Sequence, residues 1–262
     1  MEDTGTYLAN MRATAPLVHH ITNYVSMNIA ANVALAVGAS PAMVHAREEV
    51  VEFAGLAQAL SVNIGTLDPA WAKAMEMAAR VMVAAGRPWV LDPVGVGATR
   101  FRQDVCARLM ALRPTVIRGN ASEILALAGL GSTGRGADSA DPVTAAEASA
   151  RDLALRCGAV VAVSGPVDYV TDGTQAFRVA NGDALMPRVT ALGCALNGLI
   201  AAFLVDQSAL PATAAALAYY GLAGERAAQK ADGPGSFQVA FLDALFTLSP
   251  QEVTTFAQVS RA

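Results

Sequence analysis

Cysteine, positive charge and long apolar runs are all in short supply in this chain of 262 residues. Its three cysteines, Cys106, Cys157 and Cys194, are widely spaced and form no Cys-x-x-Cys pair, which argues against a disulfide framework or a structural zinc site. Such a chain suits a reducing compartment. Lysine and arginine number 18 against 22 acidic residues, and the resulting net charge of -4 would repel a phosphate backbone, so nucleic acid is not the expected partner. The longest apolar stretch, 191–205, is interrupted by Asn197 and falls short of the roughly 20 residues a membrane-spanning helix needs. At the start, Glu2 and Asp3 stand where a secretory leader would carry basic and then apolar residues. The expectation is a cytoplasmic protein acting on a small molecule.

What the chain does have is apolar material, 54% of its residues against 15% charged, enough for one large core. No internal repeat or low-complexity linker divides it, and the reading is a single domain over 1–262. Short β-rich runs at 17–21, 42–44, 61–64, 89–92, 115–118 and 159–164 alternate with alanine-rich segments at 28–37, 48–60, 69–85, 102–112 and 144–156. That alternation predicts an α/β fold, a three-layer sandwich with a mostly parallel central sheet and helices on both faces. Beyond Ser164, the runs 169–171 and 175–179 flank Asp172-Gly173, which predicts a hairpin and antiparallel edge strands. Helices are predicted at 194–205, 211–230 and 237–248, followed by a loose polar tail from Ser249. The Gly- and Ser-rich stretch 129–141 reads equally as a plain surface connection or as a mobile flap.

Ligands in open α/β sheets collect at the carboxyl ends of the strands, so the polar residues that end each run are the candidates. Asp92 closes a strand just before Pro93 and two glycines, Gly95 and Gly97, and its carboxylate suits Mg²⁺ shared with waters and phosphates. Equally, an Asp before Pro serves as a turn former. Arg118 offers a planar fork of donors to phosphate oxygens. Asn120 and Glu123 have capping-box spacing, and Glu123 in the first helical turn could also stand beside a metal and its waters. Ser164-Gly165 is either a simple turn or a place where a nucleotide approaches the backbone. Gly193-Cys194 opens an apolar helix, where free amide donors favour an anion and would lower a thiol's pKa. The alternative there is a buried helix with a core cysteine. On their predicted strand, His19 and His20 should turn one ring inward and one outward in structural roles.

Taken together, these residues carry a resemblance. The segments Leu17-Val18-His19-His20-Ile21-Thr22-Asn23, Asn63-Ile64-Gly65-Thr66-Leu67, Leu91-Asp92-Pro93-Val94-Gly95-Val96-Gly97, Arg118-Gly119-Asn120-Ala121-Ser122-Glu123 and Gly193-Cys194-Ala195-Leu196 resemble those of hydroxyethylthiazole kinases, in the ribokinase-like superfamily. The resemblance implies ATP-dependent phosphorylation of the hydroxyl of 4-methyl-5-(2-hydroxyethyl)thiazole in thiamine salvage, with Mg²⁺ as cofactor. It implies Cys194 as the catalytic residue, a weak base and positioning group where the wider superfamily has aspartate. Met43 and Gly193, with Asn23 and Asn63, would serve the thiazole; Arg118 and Ser164 would serve ATP; Asp92 and Glu123 would face the metal. It further implies a homotrimer with thiazole pockets at subunit boundaries, so that Met43 and Asn63 serve a neighbour's site. The chain departs from the family pattern at Ala191-Leu192, where Gly-Thr is usual. Alternatives are a kinase of another hydroxylated ring, such as a hydroxymethylpyrimidine, and a non-catalytic thiazole or nucleotide sensor.

Overall fold

Local signals at their ends set where most elements start and stop. Helix 69–85 is an instance: Asp68 accepts hydrogen bonds from the amides of Ala70 (2.7 Å) and Trp71 (2.9 Å), proline stands at its first position, and Gly86 ends it at φ 63°. The computed structural model describes residues 3–129 and 142–262. The stretch read as a possible flap therefore lies, from residue 130 on, outside the described residues.

In chain order the elements are α1 (Thr4–Thr14), β1 (Leu17–Ile21), α2 (Met27–Val37), β2 (Ser40–Met43), α3 (Val50–Leu56), β3 (Ala59–Asn63), α4 (Pro69–Ala85), β4 (Trp89–Asp92), α5 (Arg100–Met110) and β5 (Val116–Asn120). Then follow α6 (Ala121–Gly129), α7 (Pro142–Cys157), β6 (Val160–Ser164), β7 (Asp168–Thr171), β8 (Ala176–Val179), α8 (Leu192–Phe203), α9 (Ala209–Ala228), α10 (Pro234–Thr247), α11 (Pro250–Phe256) and β9 (Val259–Arg261). The strands form one sheet in the order β2-β1-β3-β4-β5-β6-β7-β8-β9. The six strands from β2 to β6 are parallel, and β7, β8 and β9 add antiparallel pairs at one side.

Two apolar cores lie on opposite faces, one under α1, α2, α8, α9 and α10, the other under α3 to α7. Because side chains alternate along a strand, Val18, Ala59, Val90, Val116 and Val160 face the first core, and Leu60, Leu91, Ile117 and Val161 the second. Both histidines of β1 are consequently buried, His19 toward Phe53 of α3 and His20 toward Gly198 of α8. The inside-and-outside expectation for the pair fails because a doubly covered sheet has no outside face. Burial, and then His19 beside it, drives the pKa of His20 down to about 3, so its ring is neutral.

Helix α8 is buried on nearly every side, resting on β1, β3 and β4 and against α2 and α9. This explains its mostly apolar sequence, broken only by Asn197 among its larger side chains, since a helix without a polar face belongs inside.

Three local expectations are revised. The helix predicted at 48–60 ends at Leu56, because Ala59 and Leu60 already belong to the buried strand β3. A further helix, α1, precedes the first predicted element, with the Asp3 side chain accepting from Gly5 N (2.9 Å) at its start. The tail is ordered as well: Ser249 and Glu252 form a reciprocal capping box that opens α11, and β9 then pairs with β8.

Candidate active site

Alternation along four neighbouring strands brings the polar strand ends together. Asn63 of β3, Asp92 of β4, Arg118 of β5 and Ser164 of β6 occupy the phase that faces α8, and Asn63 and Asp92 are direct register partners. The start of α8 meets them from above. Ala191, its N-cap, takes a left-handed conformation (φ 63°, ψ 7°) and offers no side-chain cap, so the first-turn amides of Leu192, Gly193 and Cys194 are left for a ligand. Arg118 fixes this turn from below, its Nη1 donating to the carbonyl of Gly193 at 3.0 Å.

A cavity of about 860 Å³ opens here, and Asp92, Arg118, Glu123, Ser164, Gly193 and Cys194 all line it. Two buried polar atoms in this wall, Arg118 Nε and Ser164 Oγ, have no hydrogen-bond partner among the described residues. Buried polar atoms left unpaired are costly in a folded protein, which suits atoms that meet a polar ligand.

The Asp92 carboxylate is 2% exposed and is gripped from two sides. Its Oδ2 accepts from Asn63 Nδ2 (2.6 Å) and from Asn197 Nδ2 (2.5 Å). Burial pushes its pKa up to about 7; Arg118 and the two amides pull it down, while Glu123 adds to the rise. Glu123 keeps the capping-box role: its Oε2 accepts from Asn120 N (2.9 Å), and Asn120 Oδ1 accepts from Glu123 N (3.0 Å). Its other oxygen accepts from Gly95 N (3.0 Å), which pins the loop after β4. The structural and the functional reading of Glu123 are thus compatible in one geometry. Among the described residues no three His, Cys, Asp or Glu side chains cluster as a metal cage. Asp92 and Glu123 instead suit a hard divalent ion that keeps waters and takes phosphate oxygens as its remaining ligands.

Cys194 is half-buried and stands at the third helical position of α8. Burial raises its thiol pKa, the Asp92 charge adds to that, and donation from Asn23 and Asn63 and the charge of Arg118 oppose it. The direction is the reverse of the lowering expected from the helix start alone. Desolvation is the largest cause, and the neighbouring Asp92 carboxylate adds to it.

Asn23 and Asn63 lie next to this group without lining the cavity, and Met43 is apart from it. Met43 ends β2 opposite His20, at the sheet edge and separated from β4 by two strands, half-buried against the first core.

The Hydroxyethylthiazole kinase family matches residues 8–251. Over all 262 residues, and over the full length of its counterpart, the chain is 64% identical to a hydroxyethylthiazole kinase of Cereibacter sphaeroides. It is 58% identical to one of Rhizobium leguminosarum bv. trifolii, covering 98% of this chain and 97% of that one. This chain belongs to the hydroxyethylthiazole kinase family. The structure of hydroxyethylthiazole kinase from Pyrococcus horikoshii OT3 superposes over 100% of both chains with a TM-score of 0.94 at 40% identity. A pyridoxal kinase from Staphylococcus aureus, solved in complex with AMP-PCP, shares the fold at a TM-score of 0.63 and 16% identity, over 95% of this chain and 99% of that one.

Two residues of this family member's site escaped the sequence reading. Asn197 was visible only as a polar break in an apolar helix, yet it sits one turn beyond Gly193 and reaches Asp92. Asp168 begins β7 and lines the cavity, with its Oδ1 accepting from Gly165 N (2.9 Å) and its pKa pushed up to about 6 by burial. The signal for Asp168 was faint, because a lone Asp after Ser-Gly-Pro reads as a turn residue.

Proposed function

We propose that this protein transfers the γ-phosphoryl group of ATP to the hydroxyl of 4-methyl-5-(2-hydroxyethyl)thiazole, a step of thiamine salvage in the cytoplasm. The full-length family match carries the reading, and the convergence of Asp92, Arg118, Glu123, Ser164, Gly193 and Cys194 on one cavity supports it.

Phosphoryl transfer asks mainly for alignment and for neutralisation of charge on the transferring oxygens. Arg118 and the free amides at the start of α8 supply donors and positive potential along that path, and Ser164 with Gly165 lets the nucleotide approach the backbone closely. Asp92 and Glu123 would hold Mg²⁺, which would offset the negative charge of the phosphates. Asp92 is kept in one orientation by Asn63 and Asn197, so its carboxylate is placed before the substrates arrive.

We assign Cys194, which lines the cavity at the start of α8, to the acceptor hydroxyl. Its raised pKa makes it chiefly a positioning thiol near neutral pH, and a weak base whose thiolate fraction grows as pH rises. It need form no covalent bond to phosphate. We assign Met43 and Gly193 to the thiazole. With Met43 at the sheet edge, we infer a homotrimer whose thiazole pockets lie at subunit boundaries. Exposed apolar side chains at that end of the sheet, Leu35 on α2 and Val51 and Leu56 on α3, support such assembly.

The test is ADP release with Mg²⁺ and ATP, comparing the thiazole alcohol with hydroxymethylpyrimidine. Turnover should require the thiazole alcohol. Preference for the pyrimidine, or binding without turnover, would refute the reading. Light scattering tests the assembly, and a monomer at working concentration contradicts the shared pocket.

A further inference from the structure

Two asparagines, Asn23 and Asn63, stand next to the site without lining its cavity. Asn23 and Asn63 are 4% and 1% exposed, and their amides are almost fully engaged inside the protein. Asn23 Oδ1 accepts from Ser26 N (3.0 Å), which turns its Nδ2 toward Asn63 Oδ1 (2.7 Å) and Cys194 Sγ (3.4 Å). Asn63 Oδ1 also accepts from Gly65 N (2.9 Å), which in turn directs its Nδ2 to Asp92. Each amide orientation is therefore set by the next bond, and the series runs without a break from the carboxylate ending β4 to the sulfur at the start of α8. Both hydrogens of Asn23 Nδ2 are spent, so that amide has no donor left for a thiazole ring.

We propose that Asn23 and Asn63 are positioning residues, a relay of amides that sets the Cys194 sulfur in fixed relation to the Asp92 carboxylate, and that neither recognises the thiazole ring. The proposal rests on the reading that Cys194 meets the acceptor hydroxyl, and it deepens that reading. An N–H aimed at sulfur favours the thiolate over the thiol, so the relay also counters the burial of Cys194. The ionisable groups that act on this sulfur are Asp92 from β4 and Arg118 from β5, with Tyr220 from α9 coupled to it.

The experiment uses the full-length protein and follows iodoacetamide alkylation of Cys194 against pH by peptide mass mapping, with kcat and KM measured in parallel. In Asn23→Ala the alkylation rate at pH 8 should fall about tenfold, the effect of moving a thiol by one pH unit. Its kcat should fall while KM for the alcohol stays within about twofold. Asn63→Ala should move the profile in the same direction by a smaller amount, and Cys157 serves as the unaffected internal control. In a Cys194→Ser background, Asn23→Ala should cost little further turnover. Unchanged alkylation in Asn23→Ala, with KM for the alcohol raised about tenfold at constant kcat, would make Asn23 a ring contact and overturn the proposal.

Should the alanine variants fail to fold, the isosteric Asn23→Asp keeps the shape and replaces the donor with an oxygen facing Asn63 and the sulfur. Slower alkylation in that variant supports the relay, and parent-like alkylation overturns it. If the parent lacks kinase activity, the proposed function fails, while the alkylation comparison still decides the relay.

Discussion

Adding one methyl group at Gly198 should reverse the usual effect of glycine-to-alanine in a helix. In an exposed helix interior that change stabilises by about 1 kcal/mol. Here a Cβ on Gly198 would stand 2.2 Å from Cε1 of His20 and 3.1 Å from its Nδ1. Carbon atoms settle at roughly 3.5–4 Å, so well over an ångström of room must be found. The His20 ring is 2% exposed on an interior strand and has nowhere to swing, which leaves α8 to shift.

Overpacking of this kind costs roughly 1–3 kcal/mol or more, which outweighs the propensity gain. A net loss of about 2 kcal/mol corresponds to a fall of roughly 4–8 °C in Tm for a chain of this size. Because α8 carries Gly193, Cys194 and Asn197, a displacement on the order of 1 Å should lower kcat about 100-fold. Thermal unfolding and steady-state turnover of Gly198→Ala test both numbers. The double variant His20→Ala/Gly198→Ala opens the space and should recover part of each loss, a coupling that independent sites would lack. A Gly198→Ala protein at least as stable and active as its parent would refute the steric argument.

Asp92→Asn separates charge from shape. A carboxyl whose pKa is raised to about 7 on folding carries a burial cost that is absent below its unfolded value of about 3.9 and complete above pH 7. The variant should therefore be more stable than the parent at pH 8, by an amount that vanishes near pH 4 in urea titrations, while turnover drops at least about 100-fold. A pH-independent difference would show that the shift is not real. For Cys194→Ser we expect slower turnover in a folded protein and loss of the rise in rate toward alkaline pH; an unchanged rate removes Cys194 from proton transfer. At Ala191, left-handed backbone tolerates glycine and penalises branching, so Ala191→Val should cost roughly 1–2 kcal/mol by thermal unfolding and Ala191→Gly should not destabilise beyond about 0.5 kcal/mol. Ser249→Ala should cost about 1 kcal/mol and speed proteolysis within α11. Digestion at the parent's rate would count against the capping box.

Much of the fold was legible because its punctuation is local. Asp68-Pro69 and Gly86 bound α4 where the sequence places it, and Asp172-Gly173 marks the turn between β7 and β8. The ends of β3, β4, β5 and β6 were legible as a site because alternation makes strand-ending residues converge whatever the rest of the chain does. The contacts that depend on distant partners were not. Nothing near Asn197 in the sequence announces Asp92, 105 positions away, and nothing near Asn23 announces Cys194. The capping box at Ser249 was readable in principle, since serine, proline and glutamate stand at the right spacing, but a polar composition masked it.

The ordered tail has a reach beyond its own length. Asn181, at the rim of the large cavity, donates to Glu225 Oε1 (3.0 Å) and to the carbonyl of Phe256 (3.2 Å), and accepts from Gln258 N (2.6 Å). Residues 256–261 thus act as a latch, bolting one wall of the cavity to α9 while sealing the outer rim of β8. Trimming them would bare a strand primed to recruit other chains, and would loosen the catalytic chamber from the side opposite its chemistry.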